Sequence, residues 1–125
     1  MVKSVLIADD QEIVREVLCD LFDSQEDFEV CGEAENGMEA VEMAQMLEPD
    51  VILLDLSMPV MNGIEAACAL KRLMPMVPII VFSEYGDVLS QRETHSSGIS
   101  AVVSKTAQIS VLLDKARAVL YPAAA

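Results

Sequence analysis

Asp50-Val51-Ile52-Leu53-Leu54-Asp55 is the stretch on which the fold turns. Four apolar residues in a row, bounded by acids, are too short for a core helix and show no alternation of apolar with polar. A continuous apolar run of strand length predicts burial on both faces, as in a central parallel strand. Working outward, Val5-Leu6-Ile7-Ala8 reads as another short buried strand, ending in Asp9-Asp10. Phe28-Glu29-Val30-Cys31 reads as a third strand, followed by the turn signal Asn36-Gly37. Pro78-Ile79-Ile80-Val81-Phe82 and Ala101-Val102-Val103 complete five.

Helix-period stretches lie between them. Ile13, Val14, Val17, Leu18, Leu21 and Phe22 recur on one helical face. Ala40, Val41, Ala44 and Leu47 mark a second helix that stops before Pro49. Met58-Pro59 and Asn62-Gly63 form a loop before a third helix beginning at Ile64, Ala67, Cys68 and Leu70. Asp87 to Ser97 predicts a loosely held helix, and Val111, Leu112, Ala116, Val119 and Leu120 line a final one. Strand alternating with helix five times over predicts an α/β fold with a parallel sheet covered on both faces. Right-handed crossovers bring the strand C-terminal ends to one edge, where ligands of such sheets bind.

The chain has 125 residues, 53% of them hydrophobic and only 4% aromatic, so one domain filled with aliphatic side chains is expected. The eight Met residues then serve as core filler. Cys19, Cys31 and Cys68 are odd in number and widely spaced, which suits reduced core thiols. No apolar run approaches the roughly 20 residues of a membrane span, and the N-terminus lacks the pattern of a signal peptide. A cytoplasmic location follows. The net charge of −13 argues against this domain gripping nucleic acid.

Asp9 and Asp10 end the first strand, Asp55 the third, Ser83 the fourth and Lys105 the fifth. Each alone reads as a cap, a turn former or a solvated charge. Together they crowd one edge. Two carboxylates about 5 Å apart repel by roughly 3 kcal/mol at an effective dielectric of about 20. A hard divalent cation relieves this, and Mg²⁺ favours carboxylates, waters and phosphate oxygens. Lys105 adds a fixed positive charge and Ser83 a hydroxyl donor. The set forms a phosphoryl cradle with Asp55 as candidate nucleophile.

At these residues the sequence resembles the receiver domain of two-component response regulators, from Lys3 to about Leu120. The resemblance rests on Asp9-Asp10, on Asp55-Leu56-Ser57-Met58-Pro59-Val60-Met61-Asn62-Gly63, on Ser83 and on Lys105. Val30-Cys31-Gly32-Glu33-Ala34-Glu35-Asn36-Gly37 is similar to receivers that precede helix-turn-helix output domains. The resemblance implies a doubly wound, flavodoxin-like five-stranded parallel sheet over residues 1–120, with 121–125 a tail. It implies that Asp55 takes a phosphoryl group from a sensor histidine kinase or phosphotransfer protein. Asp10, Asp55 and the Ser57 carbonyl would bind Mg²⁺ directly and Asp9 through water, with Ser83 and Lys105 on the phosphoryl oxygens. Pro59 and Gly63 would shape the loop that carries Ser57.

Three positions depart from the family pattern: Thr106 after the lysine where Pro is frequent, Val102 where the switch residue is an aromatic, and Glu84 where a small residue is common. Val102 and Glu84 leave a docking-only pseudo-receiver as the alternative. A haloacid-dehalogenase-like phosphatase needs its second acid two residues after the nucleophile, unlike the adjacent pair Asp9-Asp10. A flavin or nucleotide carrier needs a phosphate loop, which Asp9-Asp10-Gln11-Glu12 would repel. His95 reads as solvated and Tyr85 as an exposed loop aromatic. The domain either stands alone or belongs to a longer protein, and self-association through its last strands and helices stays open.

Overall fold

A computed structural model describes residues 2–83, 98–104 and 110–121. Five strands, β1 (Lys3–Ala8), β2 (Phe28–Ala34), β3 (Val51–Asp55), β4 (Ile79–Ser83) and β5 (Ala101–Ser104), form one sheet in the order β2-β1-β3-β4-β5. Every pairing is parallel. Among the described residues four helices cover it: α1 (Glu12–Asp23), α2 (Gly37–Leu47), α3 (Gly63–Leu73) and α4 (Ser110–Leu120). This is the expected doubly wound α/β sheet with the flavodoxin-like strand order. The expected helix at 87–97, with Glu84, Tyr85, His95, Lys105 and Thr106, lies outside the described residues.

The period of two along each strand explains the layers. Val5 and Ile7 of β1, with Val51 and Leu53 of β3, join Leu18 and Phe22 of α1 and Leu112, Leu113 and Ala116 of α4. Leu6, Ala8, Ile52 and Leu54 point the other way, onto Ala40 and Ala44 of α2 and Ala66, Ala67 and Leu70 of α3. The whole of β3 is buried, as its unbroken apolar run predicted. A register shift separates Val5↔Val30 from Leu6↔Gly32 and leaves Cys31 as the extra residue. One extra residue reverses which face the strand presents. Phe28 therefore packs in the α1/α4 core while Ala34 packs in the α2/α3 core. Glu29 and Glu33 are exposed along this edge strand.

Several local expectations needed correction. Asn36-Gly37 and Asn62-Gly63 are helix starts rather than free turns. Asn36 accepts from the Glu39 N–H at 2.8 Å, and Asn62 and Glu65 make a reciprocal capping box at 2.9 and 3.2 Å. On α1 the apolar stripe packs inward at Val14, Leu18, Leu21 and Phe22 but not throughout: Ile13 is 75% exposed and Val17 half exposed, while Arg15 is buried. Met38, Met46 and Met76 are exposed, so methionine is not uniformly core filler. Cys68 is exposed as well; Cys19 and Cys31 are half-buried. Burial, with Glu33 beside it, pushes the Cys19 thiol up to about 11 and keeps it protonated.

Arg117 ties α4 to the turn before β2. Its Nε and Nη2 donate to the two Asp27 oxygens at 2.8 and 3.0 Å, and Nη2 also reaches Gln25. The guanidinium lies 5.6 Å from the Phe28 ring centroid. Hydrogen bonding to Arg117 lowers the Asp27 pKa. A depressed carboxylate contributes stability that is present above its unfolded value of about 3.9 and lost as pH falls through the lower folded value. Both side chains are more than a third exposed, which limits the contribution to about 1 kcal/mol. Urea titrations should therefore show Arg117→Ala less stable than wild type at pH 7, with the gap narrowing in strong acid. A gap that stays constant down to pH 2 would contradict the assignment.

Candidate functional site

The strand order reverses direction at β1, so the ends of β1 and β3 open onto a crevice at the switch point. Ala8 pairs with Leu54, which sets Asp9 beside Asp55 at that edge. One carboxylate oxygen from each of Asp9, Asp10 and Asp55 lies within 4.8 Å of the others. Asp9 is fully buried and Asp55 is 4% exposed, while Asp10 faces solvent.

Asp9 is anchored at each of its backbone groups. Its N–H donates to the Ala34 carbonyl at 3.0 Å, and its own carbonyl accepts from Arg15 Nη1 at 2.7 Å. Its Oδ1 accepts from the Gln11 N–H at 2.7 Å. Asp55 Oδ1 accepts from the Ser57 N–H at 3.4 Å, which turns the chain back over the acid.

The loop from Asp55 to α3 is held at several points. Leu56 N–H donates to Phe82, Gly63 N–H to Leu56, and Gly37 N–H to the Met61 carbonyl. Met61 N–H donates to the Pro59 carbonyl at 2.7 Å across Val60, whose φ is +68°. That is a γ-turn with a β-branched residue at its centre, a strained conformation. A Cβ on Gly63 would stand 2.5 Å from the Asp55 carbonyl oxygen, so only glycine lets α3 begin this close to β3.

At 4.8 Å, like charges repel by about 3 kcal/mol per pair at an effective dielectric near 20. Three converging carboxylate oxygens are the donor set that a hard, oxygen-seeking divalent cation prefers. The residues present therefore fit Mg²⁺. Asp9, Asp10 and Asp55, expected from their strand ends, are brought together, with Ser57 beside Asp55. Ser83 closes β4 and pairs in register with Ser104, whose next residue is Lys105. Lys105 itself lies outside the described residues. Arg15 was not singled out from the sequence, although a lone cation five residues after Asp10 amid Glu12, Glu16 and other acids was a visible signal.

The sequence profile of the response regulator receiver domain matches residues 5–117. The chain belongs to that family. The chemotaxis protein CheY of Halobacterium salinarum is 34% identical over 114 residues, covering 91% of this chain and 93% of that protein. The response regulator domain of Thermotoga maritima CheB superposes with a TM-score of 0.89 at 33% identity, covering 99% of this chain and all of that one. The Thermotoga maritima response regulator TrrA, solved in complex with Mg²⁺-BeF, has a TM-score of 0.85 at 27% identity, covering 94% and 99%. The chain also matches protein-glutamate methylesterases, such as that of Clostridium acetobutylicum at 46% identity, but spans only 23% of that protein's length.

Proposed function

We propose that Asp55 is the phosphoacceptor of this receiver domain and that Mg²⁺ held at Asp9, Asp10 and Asp55 supports the transfer. The observation that carries this reading is the nearly buried Asp55 carboxylate meeting two further acids within 4.8 Å at the switch point. An Asp55 oxygen attacks the phosphorus of a phosphohistidine on a sensor kinase or phosphotransfer protein. The P–O bond forms as the P–N bond breaks, the imidazole leaves with the electron pair, and an acyl phosphate remains on Asp55. The cation supplies charge neutralisation for the acids and the transferring oxygens. Asp10, Asp55 and the Ser57 carbonyl would hold it, with Asp9 supporting them from beside Asp55. Ser83 and Lys105 contact the phosphoryl oxygens. The complex of TrrA with Mg²⁺-BeF supports such a site on this fold.

On this reading the domain occupies residues 1–120 with 121–125 a tail, acts as a signalling module rather than an enzyme, and works in the cytoplasm. Among the described residues no helix is long and apolar enough to cross a membrane. Acetyl phosphate with Mg²⁺ should add one phosphoryl group to the wild-type chain, seen by intact-mass spectrometry. Asp55→Asn should remain unlabelled, and labelling of that variant at the wild-type rate would refute the assignment.

A further inference from the structure

Arg15 is a cation where the requirements of a cation site argue against one. It sits on α1 with 8% of its surface exposed, and its guanidinium reaches the corner that carries Asp9 and Asp10. Coulomb's law alone makes a guanidinium here unfavourable for Mg²⁺. Its charge, however, is met from the other side. Nε lies 3.4 Å from Glu33 and Nη2 3.7 Å from Glu35, at the end of β2. Glu12, Glu16 and Glu39 line the same cleft of about 300 Å³. With the charge so offset, the short bond from Nη1 to the Asp9 carbonyl is what the residue adds.

That bond has geometric leverage. A peptide is planar, so fixing the Asp9 carbonyl also fixes the Asp10 N–H in the same plane. The ψ of Asp9 and the φ of Asp10 are then restrained together, and with them the direction of the Asp10 Cβ. Asp10 is exposed, so packing does not aim its carboxylate at Asp9 and Asp55. We propose that Arg15 is a positioning residue for the acidic site: braced by Glu33 and Glu35, it clamps the Asp9–Asp10 peptide and so aims the Asp10 carboxylate. The proposal rests on the reading of this site as a Mg²⁺ site.

Isothermal titration calorimetry with Mg²⁺ on the free domain separates positioning from charge by the sign of the change. Outer-shell groups that orient metal ligands typically contribute about 10- to 100-fold in affinity. Arg15→Met should therefore bind Mg²⁺ about tenfold more weakly, whereas charge alone would make it bind more tightly. Arg15→Lys keeps the charge without the planar fork; it should fall between wild type and Arg15→Met, whereas charge alone predicts no change. Wild-type or tighter affinity in a folded Arg15→Met overturns the proposal. If that variant does not fold, wild-type affinity in Arg15→Lys does so. A second readout needs no metal: in EDTA, the Gln11 amide that donates to Asp9 Oδ1 should exchange with solvent severalfold faster in Arg15→Lys, and unchanged exchange overturns the proposal. Failure of the wild-type domain to bind Mg²⁺ would instead refute the metal reading, with the exchange arm still deciding the role of Arg15.

Discussion

Asp10→Ala is expected to lower the rate of acetyl-phosphate labelling by about a hundredfold and, in EDTA, to raise the melting temperature. The two effects share one cause. Asp10 brings a carboxylate oxygen within 4.8 Å of those of Asp9 and Asp55, a repulsive arrangement in the absence of a cation. Each pair costs up to about 3 kcal/mol at a dielectric near 20, and Asp10 faces solvent, so screening reduces the relief to about 1 kcal/mol. For a domain of this size that is about 3–5 °C. On the proposed reading, the labelling loss would follow from removing a ligand of a cation expected to contribute several kcal/mol to the transfer, of which about 2.7 kcal/mol is a hundredfold. Thermal melts in EDTA at low and high salt provide the check. A variant that melts below wild type at low salt, or labels at the wild-type rate, would contradict the arrangement.

Gly63→Ala, at the first residue of α3, should be a strongly damaging single-methyl change. The new Cβ would meet the Asp55 carbonyl oxygen at 2.5 Å and the Leu56 Cα at 3.0 Å, all backbone that cannot swing away. Relief requires α3 to retreat from β3, breaking the bond from Gly63 N–H to the Leu56 carbonyl. Overpacking of this kind costs about 1–3 kcal/mol, and the broken bond about 1 kcal/mol more. A melting temperature lower by about 10 °C is expected. Phosphorylation should slow too, because the same carbonyl belongs to Asp55, the proposed acceptor. A stability within about 0.5 kcal/mol of wild type, the size of ordinary surface changes, would mean the close approach is not real.

The central strands were legible because burial on both faces leaves an unbroken apolar run; β1 and β3 appear within two residues of their expected bounds. The convergence of Asp9, Asp10 and Asp55 was legible because parallel topology dictates which strand ends meet. What escaped reading depended on three-dimensional partners. Ile13 and Val17 fit an apolar helical stripe and are exposed, yet Arg15 is buried beside Leu18 and Phe22, because its partners Glu33 and Glu35 lie across on β2 and just beyond it. The length of β2 was cut short because Gly32 and Glu33 look unlike a strand, and the bulge at Cys31 breaks the alternation that would have revealed it. Asn36 and Asn62 carry the same short polar side chain in a turn or a cap, and only the bonds to Glu39 and Glu65 decide between them.

The edge position of β2 also bears on self-aggregation. An edge strand offers its backbone as a template to another copy of itself, and the usual defences are charge and irregularity. Here Glu29 and Glu33 stand exposed on the strand and the bulge at Cys31 spoils its register, so two copies meeting edge to edge would bring like charges together on a mismatched ladder. Shape and charge thus defend the same edge separately, and replacing Glu29 and Glu33 with uncharged residues would leave the bulge alone to resist fibre formation.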